Sequence, residues 1–203
     1  MSNFFKDSNI DSSQAEAIVT ETLKNCDDGE LYLENHKSET IVLDDNKIKS
    51  SNYNSDRGYG FRAVTGEVVA YSHSNDISKE SLNRSSDNLK DTLKSKKGTY
   101  NHEIPKTNSK YYENINPIEN KTFNSKLDLL NKVNNYLRSK GSIVSQVTAN
   151  FLGEHKSIEI IRSDSEVLRD DRPLVRFNVS VVLEKEGKNC LLYTSDAADD
   201  LRG

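Results

Sequence analysis

The chain has 203 residues, 30% of them charged and 33% drawn from the set AVILMFWYC, with a mean hydropathy of −0.77, so its apolar residues must act in periodic groups to make a core. Its 28 basic and 32 acidic residues leave a net charge of −4, which supplies no field to draw it onto nucleic acid. No apolar run approaches the ~20 residues of a spanning helix, and no charged start leads into an apolar stretch, so neither a membrane span nor a secretory signal is expected.

Ser13-Gln14-Ala15-Glu16 reads as a capping box, and Ala15, Ile18, Val19, Leu23 and Cys26 then form one helical stripe. Asp27-Asp28-Gly29 ends this helix, with Gly29 suited to a left-handed cap. Cys26 is then a small core residue. With Cys190 it makes only two cysteines, which is no disulfide framework and points to a reducing, cytoplasmic setting. Five short strands are predicted next: Leu31 to His36, Glu39 to Leu43, Lys47 to Tyr53, Gly58 to Val64 and Glu67 to Ser72. Asp44-Asp45-Asn46, Asn54-Ser55-Asp56 and Thr65-Gly66 separate them as turns, and spacing this tight demands antiparallel pairing.

A second helix spans Ser78 to Lys97, with Leu82, Leu89 and Leu93 inward. Residues 98–121 carry Pro105 and Pro117 with few aliphatics and read as a long polar loop. A third helix follows from Asn124 to Lys140, its inward stripe Leu127, Leu130, Val133 and Leu137, with Gly141 as its stop. Four more strands are expected: Ile143 to Leu152, Ser157 to Ile161 after a turn at Gly153-Glu154-His155-Lys156, Val167 to Asp170, and Leu174 to Leu183. The order argues an α+β fold: a curved, largely antiparallel sheet backed by helices.

The candidate chemistry is thin. The four histidines, His36, His73, His102 and His155, offer no pair one helical turn apart, and Pro105 breaks the run that begins His102-Glu103. No metal site and no catalytic residue are assigned. They read as solvated or hairpin-edge side chains. Gly58-Tyr59-Gly60-Phe61-Arg62 precedes no helix, so it is not a phosphate cradle; its glycines instead let another backbone or a ligand approach a twisted strand. Arg169 to Arg176 is the densest charge cluster, where Arg172 and Arg176 could grip a carboxylate, although pairing with Asp170 and Asp171 is the favoured reading.

After Leu174 to Leu183 a hairpin turn at Glu184 to Lys188 announces a returning strand. Cys190 to Asp200 resembles instead the translation of a transposon-type sequencing adapter. The natural chain is therefore expected to continue differently after Asn189, leaving the Leu174 to Leu183 strand without its neighbour and prone to self-association.

Two further blocks carry a family resemblance. The first runs from Ile48 through Arg57-Gly58-Tyr59-Gly60-Phe61-Arg62 and Val69-Ala70-Tyr71-Ser72 to Asp76-Ile77-Ser78. The second joins Arg162-Ser163-Asp164 to Asp171-Arg172-Pro173-Leu174-Val175-Arg176. Together they resemble the N-terminal part of the TldD/PmbA family, the modulators of DNA gyrase. One departure is Ser165, where that family usually has Gly. The resemblance implies one N-terminal domain over 1–189, with 98–121 as its loop and 190–203 as an artefactual tail. It implies a cytoplasmic metallopeptidase acting on peptides or unfolded protein. The assembly would be a homodimer, or a heterodimer of a TldD-type subunit with a metal-free TldE-type partner. Zinc would sit on a His-Glu-x-x-x-His motif downstream of this region, so the chain alone would bind none and be inactive. The alternative is that the chain belongs to the metal-free partner and serves assembly. Candidate substrate-binding residues are Gly58, Gly60, Arg62 and Arg172, with an extended peptide added to an exposed strand edge at Gly58 to Phe61.

Overall fold

The computed structural model describes residues 4–6, 8–94, 98, 113–163 and 166–193. Helix α1 (Ser12–Leu23) leads into strands β1 (Asp28–Asp44), β2 (Lys47–Thr65) and β3 (Val68–Ser74). Helices α2 (Lys79–Leu93) and α3 (Phe123–Arg138) follow, then β4 (Val144–Arg162), β5 (Val167–Lys185) and β6 (Lys188–Tyr193). The strands form one antiparallel sheet in the order β3-β2-β1-β4-β5-β6. The α+β class and the helical backing agree with the sequence.

The strands are fewer and longer than expected, because four predicted breaks are strand interior. Asn54-Ser55-Asp56 lies within β2, Gly153 to Lys156 within β4, and the segments either side of Lys37-Ser38 and of Pro173 are each continuous. The cause is visible in β2, where residues 51–57 are exposed throughout. With no core beneath either side, the alternation that marks a strand disappears and polar residues imitate a turn. True reversals carry positive φ: Asp45 (50°) with Asn46 (65°), Gly66 (60°), and Glu186 (53°) with Gly187 (74°).

The chain divides into two compact units, residues 1–36, 56–113 and 156–171, and residues 37–55, 114–155 and 172–203. In the first unit Ala15, Val19 and Leu23 of α1 and Leu82, Leu89 and Leu93 of α2 share a core with Leu31, Leu33, Phe61, Ala63 and Ile161. Cys26 is buried there as expected, and burial pushes its thiol pKa up. Helix α2 sits close because serines line its inner face: Ser86 Oγ lies 2.6 Å from Thr22 Oγ1 of α1. The N-cap of α1 is Asp11, whose carboxylate accepts from the Gln14 backbone amide (2.8 Å) while its own N–H donates to Gln14 Oε1 (3.2 Å), so the capping box lies two residues before the predicted one. Gly29 is no helix cap; it stands in β1, where a Cβ would lie 2.7 Å from the Arg62 carbonyl oxygen.

In the second unit Ile41, Leu43, Leu130, Ala149 and Phe151 make the core, with Leu127, Phe177 and Val179 around it. Two polar residues of α3 also point inward, which the apolar stripe did not foretell. Lys126 bonds the Glu39 carboxylate and the Ile118 carbonyl (2.6 Å) and lies 5.6 Å from the Phe151 ring centroid. Asn134 donates to Asn46, and Arg138 pairs with Asp45, so α3 clasps the β1–β2 turn. Strand β6 corrects the expectation of an unpartnered last strand: Cys190 pairs with Leu183 and Leu192 with Val181. Backbone pairing tolerates almost any side chain once a Gly187-type turn has formed. All six β6 residues are nevertheless exposed. Of the predicted 98–121 loop, residues 99–112 lie outside the described residues, as does His102.

Candidate functional site

Strand β2 presents two faces in the first unit. Tyr59, Phe61 and Ala63 point into the core, and Asp56, Gly58, Gly60 and Arg62 alternate with them toward the other face. Two glycines in succession on that face leave a trough of about 340 Å³. One bank is β3, whose Tyr71 and His73 rings stack with centroids 5.8 Å apart. The other bank is Tyr32, Glu34 and His36 of β1. Register, not sequence spacing, assembles the walls: Gly60 is paired with His73 and Arg62 with Tyr71.

The glycines are fixed by these neighbours. A Cβ at Gly58 would lie 2.8 Å from the Ser74 carbonyl oxygen, and one at Gly60 would lie 2.6 Å from Tyr71 Oη. The first collides with backbone and the second with the end of a side chain, so Gly58 is the stricter requirement. Beneath the trough, Tyr59 Oη is 2.8 Å from both Ser81 Oγ and Ser85 Oγ, and Ser72 Oγ donates to Ser85 at 2.9 Å. This hydroxyl chain ties the floor strand to α2.

The pairing with β3 also overturns one sequence expectation. Gly58 to Phe61 is not a free edge: β2 lies between β3 and β1, so a peptide cannot add to it as a strand there. Arg62 adjoins the trough but is already bound. Its Nε donates to Glu30 (2.8 Å) and its Nη2 to Asp28 (2.6 Å), while Asp28 also holds Arg162 (2.9 Å). Its hydrogen bonds to Glu30, then to Asp28, hold the guanidinium even more firmly protonated than usual. Arg172 is exposed on β5 and belongs to the second unit, so the four candidate binding residues do not form one site within a unit. In the Arg169 cluster, Arg169 donates to Glu159 (2.7 Å), and Asp171 accepts from Ser157 (2.7 Å). His73 stands on an edge strand as expected, and His155 lies 3.2 Å from Asn114 Oδ1. Among the described residues no three His, Cys, Asp or Glu side chains are grouped so as to hold a metal ion. No helix of the described residues is long and apolar enough to cross a membrane.

Residues 29–95 match the domain described as PmbA/TldA metallopeptidase domain 1, and residues 116–200 match the PmbA/TldA metallopeptidase central domain. The chain belongs to the PmbA/TldD family of metallopeptidases. Within it, the chain is 35% identical over 163 residues to the metalloprotease TldD homolog of Buchnera aphidicola subsp. Acyrthosiphon pisum, covering 80% of this chain and 34% of that protein. It is 32% identical over 171 residues to the homolog from Haemophilus influenzae, covering 81% and 35%. The chain thus spans about a third of the length of these relatives. Among solved structures, TldE from Thermococcus kodakarensis superposes with a TM-score of 0.66 at 11% identity, over 89% of this chain and 42% of that one. A protein from Bacteroides thetaiotaomicron, described as a modulator of DNA gyrase, gives 0.66 at 13% identity, over 89% and 43%. At such identities these two establish the fold alone.

Proposed function

We propose that this chain supplies the front portion of a TldD-type metallopeptidase that hydrolyses peptides or unfolded protein. The carrying observation is the 32–35% identity to metalloprotease TldD homologs over about 80% of the chain. The likeness to TldE is one of fold, at 11% identity, and for that reason the metal-free partner is the lesser reading. Among the described residues no group of side chains fits a catalytic metal. In this reading zinc and the His-Glu-x-x-x-His motif belong to the two thirds of the relatives' length that the chain does not span, and no step of hydrolysis falls to residues described above. The assembly is a homodimer, or a heterodimer with a TldE-type subunit, in the cytoplasm.

Residues 190–203 remain, in this reading, an adapter-derived tail. The complete exposure of β6 supports that, and the family match that continues to residue 200 weighs against it. One experiment addresses both points: recover the genomic reading frame beyond Asn189 and express the full product. We expect a His-Glu-x-x-x-His motif downstream, and chelator-sensitive cleavage of an unstructured peptide by the longer protein. The 203-residue chain should show no turnover with added zinc. A frame lacking the motif would assign the chain to the metal-free partner, and zinc-dependent turnover by the 203 residues would refute the proposal outright.

A further inference from the structure

The geometry points to a guanidinium site: the trough over Gly58 and Gly60 receives an arginine side chain carried on an extended peptide. Only the source of that arginine, a peptide, rests on the reading above. The site itself rests on shape and charge. The channel runs along the Gly58 and Gly60 face of β2, where the Ser74 carbonyl and the Tyr71 phenol close over the glycines. Its β3 bank is the stacked pair Tyr71 and His73, with Tyr71 64% exposed and so available as a π surface. Tyr32 adds a second aromatic side chain from β1.

Of the charged residues that line the channel, Asp56 and Arg57 make no ion pair among the described residues. Arg62 is neutralised by Glu30 and Asp28. Glu34 is held by Lys156 (3.3 Å) and by the Tyr32 hydroxyl (2.5 Å). Asp56 lines the channel and makes neither an ion pair nor a hydrogen bond among the described residues. Arg57 also borders the channel, but strand alternation starts its side chain from the opposite face. An aromatic bank with an unpaired carboxylate on its own face of the strand suits a planar cation. A guanidinium stacks on a ring and offers a carboxylate two parallel N–H groups. An ammonium cannot stack, and a neutral ring would leave Asp56 unused.

The test titrates the 203-residue chain with N-acetylarginine methylamide and follows the Tyr71 and His73 ring resonances by NMR. The citrulline analogue, isosteric and uncharged, should bind about fivefold or more weakly. Asp56→Asn should weaken the arginine probe by a similar factor and leave the citrulline probe unchanged; this exposed position carries no packing to lose. Gly60→Val should abolish binding of both by displacing the Tyr71 ring that forms the bank. Equal binding of the two probes, equal binding of a phenylalanine analogue, an unaffected Asp56→Asn variant, or no ring shifts at millimolar probe would each overturn the site. Because the readout is binding, loss of the peptidase reading would not touch it, and its own failure would leave that reading standing.

Discussion

Lys126→Met exchanges a charge for an apolar chain of similar length at a position only 5% exposed. Two groups lose their partner at once: the Glu39 carboxylate, with 12% of its side chain accessible, and the Ile118 carbonyl, now 2.6 Å from the ammonium. A stranded buried carbonyl costs about 1–3 kcal/mol, and breaking a buried ion pair from one side about 3–5 kcal/mol. These overlap, so a total of about 3–4 kcal/mol is expected, a large share of the ~5–15 kcal/mol by which a domain is usually stable. Urea denaturation read by far-UV circular dichroism and tyrosine fluorescence measures it, since the chain has no tryptophan. Adding Glu39→Gln removes the stranded charge, and the double variant should recover at least ~1 kcal/mol over the single one. A single-variant loss under ~1 kcal/mol, or a double variant no better than Lys126→Met, would refute the account of this pair.

Tyr59→Phe deletes the hydroxyl that Ser81 and Ser85 share, and should lower stability by about 1–2 kcal/mol in the same urea assay. Asp44 accepts from Gln146, Thr148 and Lys49, and those bonds, Gln146 first, hold its carboxyl below the ordinary range. A depressed folded-state pKa contributes stability above the unfolded value, near 4, which is lost as pH falls through the folded one. Asp44→Asn should therefore be less stable than the native chain at pH 7, with the difference shrinking below about pH 4. A constant difference across thermal melts from pH 7 to 2 would argue against the assignment.

The helices were legible because each carries an apolar stripe and a capping residue, and the hairpins because Asp45-Asn46 and Gly66 suit positive φ. Strand length was not, because the polar middles of the long strands face no core and obey no period. The capping box was misplaced since Asp11 competes with Ser13 for one role, and only geometry separates them. Lys126 and Asn134 lie inward for reasons held on distant elements, Glu39 and Asn46. At the trough, the sequence singled out both glycines and their tolerance of close approach. It missed Tyr71 and His73, although the Tyr-x-His alternation after the Thr65-Gly66 turn, laid against Gly-x-Gly, would have revealed them.

The exposed run of β2 from residue 51 to 57 contributes little burial, so its individual letters are cheap to exchange. Its count is another matter. Insert one residue there and parity flips downstream: Phe61 and Ala63 would turn to solvent while Arg62 was driven among leucines. Evolution can rewrite this stretch freely but must add or remove residues in pairs, or through a bulge, so drift here should leave spelling changed and length intact.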